Sequence, residues 1–187
     1  MEAQRPLYGD ARRYDRRLGT FFRGLHRQAS RLACKAAPEG GSVLDVGCGP
    51  GTLARMTARR RGDLTVRGVD PSAQMIRYAQ ERTGPQLRAR VEFARAGAER
   101  LPYPDESFDV VVSTMSFQHW QPLGDAVTEV LRVTRPSGRV LLYNVRGAAY
   151  EPLRAAAKAA GWSGTGRTVR VAARPLLMFT HIELSRP

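Results

Sequence analysis

The chain has 187 residues, 42% of them hydrophobic, which is ordinary for a globular protein and long enough for one domain with a buried core. It contains no run of about 18 apolar residues, so no membrane span is expected. The opening stretch MEAQRPLYGDARRYDRRLGTFF lacks the apolar segment of a signal peptide, which makes the cytoplasm the expected compartment. The net charge of +13 raises an anionic partner such as nucleic acid. Against that, Lys35 and Lys158 are the only lysines, and the arginines spread along the whole chain.

In chain order, residues 10–37 read as a helix with Leu18, Phe21, Phe22, Leu25, Ala29, Leu32 and Ala33 as its apolar stripe. The densest cationic cluster (Arg5, Arg12, Arg13, Arg16, Arg17, Arg23, Arg27 and Arg31) lies on this segment. A solvated helix face is its plainer reading, because no RNA-binding motif accompanies the charge. Pro38 and the glycines after it end the helix. Val43–Val46 is then a short apolar strand, followed by a glycine turn and a helix over 52–61 that stops at Gly62.

DLTVRGVD supplies a second strand ending at Asp70, and Ser72 can cap a helix carrying Met75, Ile76 and Ala79. Residues 89–94 make a third strand. The loop AGAERLPYPDES is rich in turn residues, and FDVVVST follows as a strand buried on both faces. A helix over 122–134, a turn at Pro136–Gly138, strand RVLLYNV and a helix over 151–160 come next. TVRVAARPLLMFTHIEL closes the chain as two strands joined tightly through Ala-Arg-Pro, with His181 and Glu183 expected at the surface.

This alternation predicts an α/β fold: a Rossmann-like, doubly wound, mostly parallel seven-stranded sheet with a C-terminal antiparallel hairpin. The chain divides as a single domain over 1–187, with an N-terminal helical lid over 1–39 and a core over 40–187. Ligands of such sheets bind beyond the carboxyl ends of the strands, so 46–51, 70–72, 95–99 and 113–120 should face one cleft. Neither Cys34 and Cys48 nor the three histidines have the spacing of a disulfide framework or a metal site.

The stretch VLDVGCGPG (43–51) presents backbone N–H groups at a helix N-terminus, and Asp70 ends the next strand about 20 residues on, where a carboxylate can bind a ribose diol. A nucleoside-containing ligand follows. Gly47, Gly49 and Gly51 form G-x-G-x-G rather than G-x-G-x-x-G, and Pro50 removes a donor a pyrophosphate would use. Asp45, just before the turn, would repel pyrophosphate and suit an ammonium group. These features argue against a dinucleotide, and no Tyr-x-x-x-Lys pair supports a nicotinamide-dependent oxidoreductase.

VLDVGCGPG, GVDPS (68–72), ERLPYPDESFDVVVS (99–113) and RVTRPSGRVLL (132–142) resemble the successive motifs of class I S-adenosylmethionine-dependent methyltransferases. The likeness is to the small-molecule branch that includes the ubiquinone and menaquinone methyltransferases. It implies S-adenosyl-L-methionine as cofactor, with the backbone of Gly47, Gly49 and Gly51 against its methionine and ribose parts. By that resemblance Asp45 orders the ammonium end, Asp70 holds the ribose hydroxyls, and Pro71 and Met75 flank the adenine. The Ala98 N–H meets a ring nitrogen, and Ser113 and Thr114 lie near the methionine amino group. The family commonly has an acidic residue before the Ala-Glu pair where this chain has Gly97. The lost bond to the adenine amino group is worth about 1–3 kcal/mol, with Glu99 or a backbone carbonyl as the substitute acceptor.

TMSFQHW (114–120) is placed to line the acceptor side, with His119 the candidate general base and local hydrogen bonding its plainer role. Phe117 and Trp120 read more readily as core. Tyr14, at the ARxYD spacing of many relatives, is the lid residue expected at the sulfonium or carboxylate end. The link from Val145 to the helix at 151 is short, so the acceptor cleft should be open unless the N-terminal helix or a second subunit closes it. The leading reading is methyl transfer to a small molecule. The alternative is an RNA or protein acceptor, carried by the charge and the open cleft, and a cofactor-binding module without transfer is a further reading.

Overall fold

A computed structural model describes residues 11–16, 22–145, 150–171 and 177–186. The N-terminal segment holds α1 (Ala11–Tyr14) and α2 (Arg23–Ala36), and the core begins with β1 (Ser42–Val46), α3 (Thr52–Arg60), β2 (Thr65–Asp70), α4 (Ala73–Glu81), α5 (Pro85–Arg88) and β3 (Val91–Arg95). It continues with β4 (Phe108–Thr114), α6 (Leu123–Val133), β5 (Thr134–Val145), α7 (Glu151–Ala159), β6 (Ser163–Val171) and β7 (Leu177–Ser185). The seven strands form one sheet in the order β3-β2-β1-β4-β5-β7-β6. β1 to β5 run parallel, and β7 is antiparallel to both β5 and β6. The expected doubly wound fold with its antiparallel pair is present.

Because β1 and β4 are neighbours and β2 lies on the other side of β1, the winding reverses between β1 and β4. That is where a crevice opens beyond the strand ends. All seven residues of β4 are buried, as the non-alternating Val110–Val112 run requires of a central strand covered on both faces. One face packs Val43, Val110, Val112, Leu141 and Tyr143 under α2 and α3. The other packs Leu44, Val111, Leu142 and Ile182 with the apolar side of α6. Ser72 caps α4 by accepting from the Met75 amide at 3.3 Å.

Four boundaries differ from expectation. The helix expected over 10–37 is two helices: α1 packs on α4, whereas α2 packs on α3 and β4. Arg5, Arg17, Leu18, Phe21 and the Ala-Arg-Pro connection lie outside the described residues. β5 already begins at Thr134, where it pairs with Phe108 before a register shift, so Pro136–Gly138 sit within an irregular strand. β6 starts at Ser163, and α5 precedes a third strand that starts at Val91.

His181 is also a correction. It is buried, stacked on Tyr143 at 4.5 Å and 16°. The reason is the covered face: pairing of β7 with β5 sets His181 beside Tyr143, which lies in the core under α2 and α3, whereas Glu183, two residues on, stays partly exposed beside Arg139 as expected. Among the described residues no helix is long and apolar enough to cross a membrane.

Candidate functional site

The glycine turn is built by backbone requirements. Gly47, Gly49 and Gly51 have φ of 74°, 51° and 72°, a region that side chains with a β-carbon rarely enter. The Gly47 and Cys48 amides both donate to the Val69 carbonyl, at 2.8 and 2.9 Å, folding the turn over the end of β2. Two of the glycines also carry close approaches. A β-carbon on Gly47 would stand 2.3 Å from Ser116 Oγ, and one on Gly51 2.6 Å from the Phe93 ring.

Asp70 closes this turn from the other side. The Gly49 amide donates to Asp70 Oδ2 and the Ser72 amide to Oδ1, both at 2.9 Å. Burial raises the Asp70 carboxyl above the usual carboxylate range, and those two amides hold it back. Its oxygens thus stay oriented at the strand end, with lone pairs left for a ligand's hydroxyls.

Asp45 is the least expected group for a folded core. It is 1% exposed, on β1 between Gly68 and Val112, and neither carboxyl oxygen has a hydrogen-bond partner. Burial, and then the nearby charge of Asp70, push its carboxyl up to about 8; the Ala54 amide, outside hydrogen-bonding geometry, acts in the opposite sense. Two acidic side chains share this buried turn, with no cation on either among the described residues, so ionising Asp45 there is costly unless something positive binds. The pair fits a ligand that carries both an ammonium and a ribose.

Cys48, in the same turn, is buried with its thiol pushed up by burial, so it is inert rather than a thiolate. Both cysteines are free, and among the described residues no three His, Cys, Asp or Glu side chains group as metal ligands.

The other predicted site residues lie just after β2, on α4, in the loop after β3, at the end of β4 and on α1. Met75 is fully buried on the first turn of α4, and Pro71 is exposed at the end of β2 with its carbonyl bound by Arg95 Nε at 3.0 Å. Ala98 is buried. The Glu99 carboxylate folds back over Gly97, 2.2 Å from where a β-carbon would be. Gly97 therefore leaves room that Glu99 fills. Ser113 and Thr114 are buried at the end of β4. α1 brings Tyr14 to α4, and Tyr78 Oη holds this contact by donating to Asp15 Oδ2 at 3.0 Å.

Sequence reasoning missed Ser116. Its hydroxyl donates to the Val46 carbonyl (2.9 Å) and lies 2.6 Å from Ser113 Oγ, tying the β4 loop to the end of β1. No contiguous sequence signal marks it; in the structure Met115, with a φ of 57° that is rare for a residue with a side chain, turns the chain sharply after β4. Arg55 was missed too. Buried on α3, it donates to the carbonyls of Pro50 (2.7 Å) and Ala79 (3.4 Å), fastening the glycine turn to α4.

On the acceptor side, Phe117–His119 forms a short 3-10 turn. Phe117 and Trp120 are core, as expected, and Tyr150 joins them with its ring 5.1 Å from Phe117. His119 is exposed, with Nε2 3.1 Å from Gln118 Nε2. Gln118 Nε2 also donates to the Met115 carbonyl (3.0 Å), and Asn144 donates to Gln118 Oε1. The amide nitrogen can only donate, so the neutral His119 ring accepts at Nε2 and carries its proton on Nδ1.

Much of the positive charge is structural. Arg61 binds the carbonyls of Cys34, Ala37 and Pro38 at the end of α2; Arg90 binds those of Ala58, Arg61 and Leu64. Arg132 holds Leu101 and Tyr103 carbonyls together with Glu129 and Asp105, and Arg135 pairs with Asp109 at 2.6 Å. These guanidinium groups satisfy helix ends and loops, which is work that needs no partner molecule.

Comparison with known proteins agrees with this geometry. A family described as a methyltransferase domain matches residues 44–142, from β1 through β5. A methyltransferase named GfsG from Streptomyces halstedii is 38% identical over 107 residues, 57% of this chain and 38% of that protein. A ubiquinone/menaquinone biosynthesis C-methyltransferase from Geobacter sulfurreducens is 33% identical over 148 residues, covering 75% of this chain and 57% of that protein. The chain spans 38% and 57% of the length of these two relatives. A SAM-dependent methyltransferase structure from Aquifex aeolicus superposes with a TM-score of 0.68 at 19% identity, covering 93% of this chain and 98% of that one.

Proposed function

The chain belongs to the methyltransferase domain family, and on that premise we propose that it transfers the methyl group of S-adenosyl-L-methionine to a small-molecule acceptor. The observation that carries this reading is the unpartnered, buried Asp45 carboxyl beside Asp70, a pair suited to a ligand with an ammonium and a ribose. When bound, the cofactor supplies a methyl group on a positively charged sulfur, open to in-line displacement.

Each residue has a binding or aligning task. Asp45 takes the ammonium end, together with Ser113 and Thr114. The amides and flat backbone of Gly47, Gly49 and Gly51 admit the methionine and ribose parts, and Asp70 accepts from the ribose hydroxyls. Pro71 and Met75 enclose the adenine, the Ala98 amide donates to its ring, and Glu99, in the space left by Gly97, accepts from its amino group. Tyr14, carried on α1, closes the site from above and excludes water. Alignment is the larger part of catalysis for such a displacement.

His119 is the candidate base for acceptors that must lose a proton. To accept that proton at Nε2 it must give up the Gln118 bond, so its removal should matter most for acceptors of high pKa. The small-molecule reading is supported over an RNA or protein acceptor because so many arginines are engaged by this protein's own carbonyls and carboxylates.

The test is calorimetric titration with S-adenosyl-L-methionine, followed by methyl-label transfer to a cell extract, with Asp70→Ala as control. Binding by the wild type but not the variant, with label in the organic-soluble fraction, supports the proposal. Wild-type protein that does not bind the cofactor, or label that is RNase- or protease-sensitive, overturns it.

A further inference from the structure

We propose that the outer face of α2 and α3 is a docking surface for an anionic lipid membrane, held by headgroup charge rather than by inserted apolar side chains. The exposed residues of α2 are Arg23, Arg27, Arg31 and Lys35, and those of α3 are Arg59 and Arg60. Every exposed residue of the two helices is a cation. On α2 they recur every fourth residue, about 6 Å apart along the axis and about 18 Å from first to last. The other arginines described above are spent on carbonyls and carboxylates. Arg23, Arg27, Arg31 and Lys35, by contrast, form no ion pair or hydrogen bond among the described residues.

This stripe is a cost to the helix. Like charges four apart on a helix repel, and Arg23 sits at the end where the helix dipole is already positive. α2 carries no acidic residue to offset either effect. A solvated surface of mixed charge would avoid both penalties, so the pattern is explained by a partner that is itself negative.

Two observations select a planar lipid surface over a nucleic acid. The cationic face is two helices wide, since α2 and α3 pack side by side and Arg60 Nε reaches Ser30 of α2 at 3.4 Å. Among the described residues it also offers no exposed aromatic side chain on which a base could stack. The interaction is therefore broad, electrostatic and without sequence readout, which is what a sheet of anionic headgroups requires.

The placement relative to the site follows from α2. Phe22, at its start, packs edge-on to Phe179 at 6.2 Å, and Phe179 pairs with Val145 at the carboxyl end of β5. The stripe thus begins at the rim of the cleft and runs away from it. Docked along this face, the protein holds its cleft beside the headgroups, where an amphipathic acceptor can enter from the membrane. Only that consequence rests on the proposed methyl transfer; the docking does not.

Vesicle co-sedimentation tests it, with vesicles of phosphatidylcholine alone and with about one third phosphatidylglycerol. The expected result is binding to the anionic vesicles only, lost as salt rises past about 0.15 M. Arg27→Glu/Arg31→Glu/Lys35→Glu keeps the like-charge spacing on the helix, so it should fold, and should weaken binding on the order of a hundredfold, about fivefold or more per charge. Arg77→Glu, the same change on α4, should leave binding nearly unaltered. Should the triple variant fail to fold, the Arg31→Glu and Arg77→Glu single variants make the same comparison. Calorimetric binding of S-adenosyl-L-methionine, measured on the same proteins, should not change, which separates this result from failure of the proposed chemistry. No binding to anionic vesicles, equal loss with Arg77→Glu, or tighter binding to a single-stranded RNA homopolymer at equal phosphate concentration would each overturn the proposal.

Discussion

Ser116 Oγ occupies the space beside Gly47, 2.3 Å from where a β-carbon on that glycine would be, and from there donates to the Val46 carbonyl. The loop after β4 is thereby locked against the loop after β1, the two edges of the crevice at the topological switch point.

Gly47→Ala should accordingly be severe. The φ of 74° alone costs roughly 1–2 kcal/mol for a residue with a β-carbon, and the Ser116 collision adds to it. The melting temperature should fall and S-adenosyl-L-methionine binding should be lost. Adding Ser116→Gly should recover part of the stability but not the binding. Recovery of neither would show that the close approach is unimportant.

Asp45 makes a signed prediction about pH. Its folded-state carboxyl lies near 8, above its value in an unfolded chain, so between about 4 and 8 the native state holds a proton that the unfolded state has released. This contribution is present at low pH and disappears as pH rises through about 8, by the order of a few kcal/mol. Asp45→Asn should flatten that decline in chemical denaturation curves measured from pH 5 to pH 9. An ammonium ligand needs the ionised carboxyl, so binding near neutral pH should release a proton. Calorimetry in buffers of differing ionisation enthalpy would detect this, and Asp45→Asn should abolish it.

Glu99 should behave as a binding residue. Glu99→Ala is expected to weaken cofactor affinity about fivefold to hundredfold, the value of about 1–3 kcal/mol for one hydrogen bond to a charged acceptor, with little change in melting temperature. Gly97→Ala should produce a similar loss by displacing the Glu99 carboxylate from the space it fills. Competition with analogues lacking the adenine amino group provides the check, because neither variant should weaken their binding further.

The arginines should divide into two classes. Arg90→Ala leaves the carbonyls of Ala58, Arg61 and Leu64 without their donor and should cost about 1–3 kcal/mol in denaturant unfolding. Arg27→Ala, on the exposed stripe, should change stability by less than about 0.5 kcal/mol, and toward greater stability if anything. Equal effects would deny that the charge is partitioned between structure and surface.

What the sequence by itself determined was local. An apolar run ending in three glycines specifies a strand, a left-handed turn and a helix start. Asp70 at the end of the next strand places a carboxylate beside that turn, and the alternation of elements specifies a parallel sheet. Each of these is a property of contiguous residues, so periodicity and turn chemistry suffice to read it. The tertiary structure alone decided the rest. Ser116 reaches Val46 across 70 residues, and Arg55 reaches Ala79 across 24. His181 alternates like a surface residue, but the pairing of β7 with β5 stacks it on Tyr143 in the covered face of the sheet. The long cationic side chains are the clearest case. A guanidinium at the end of a flexible stem has the same signature in sequence whether it caps a helix, as Arg61 does, or faces solvent, as Arg31 does. Only the positions of carbonyls distant in the chain distinguish the two.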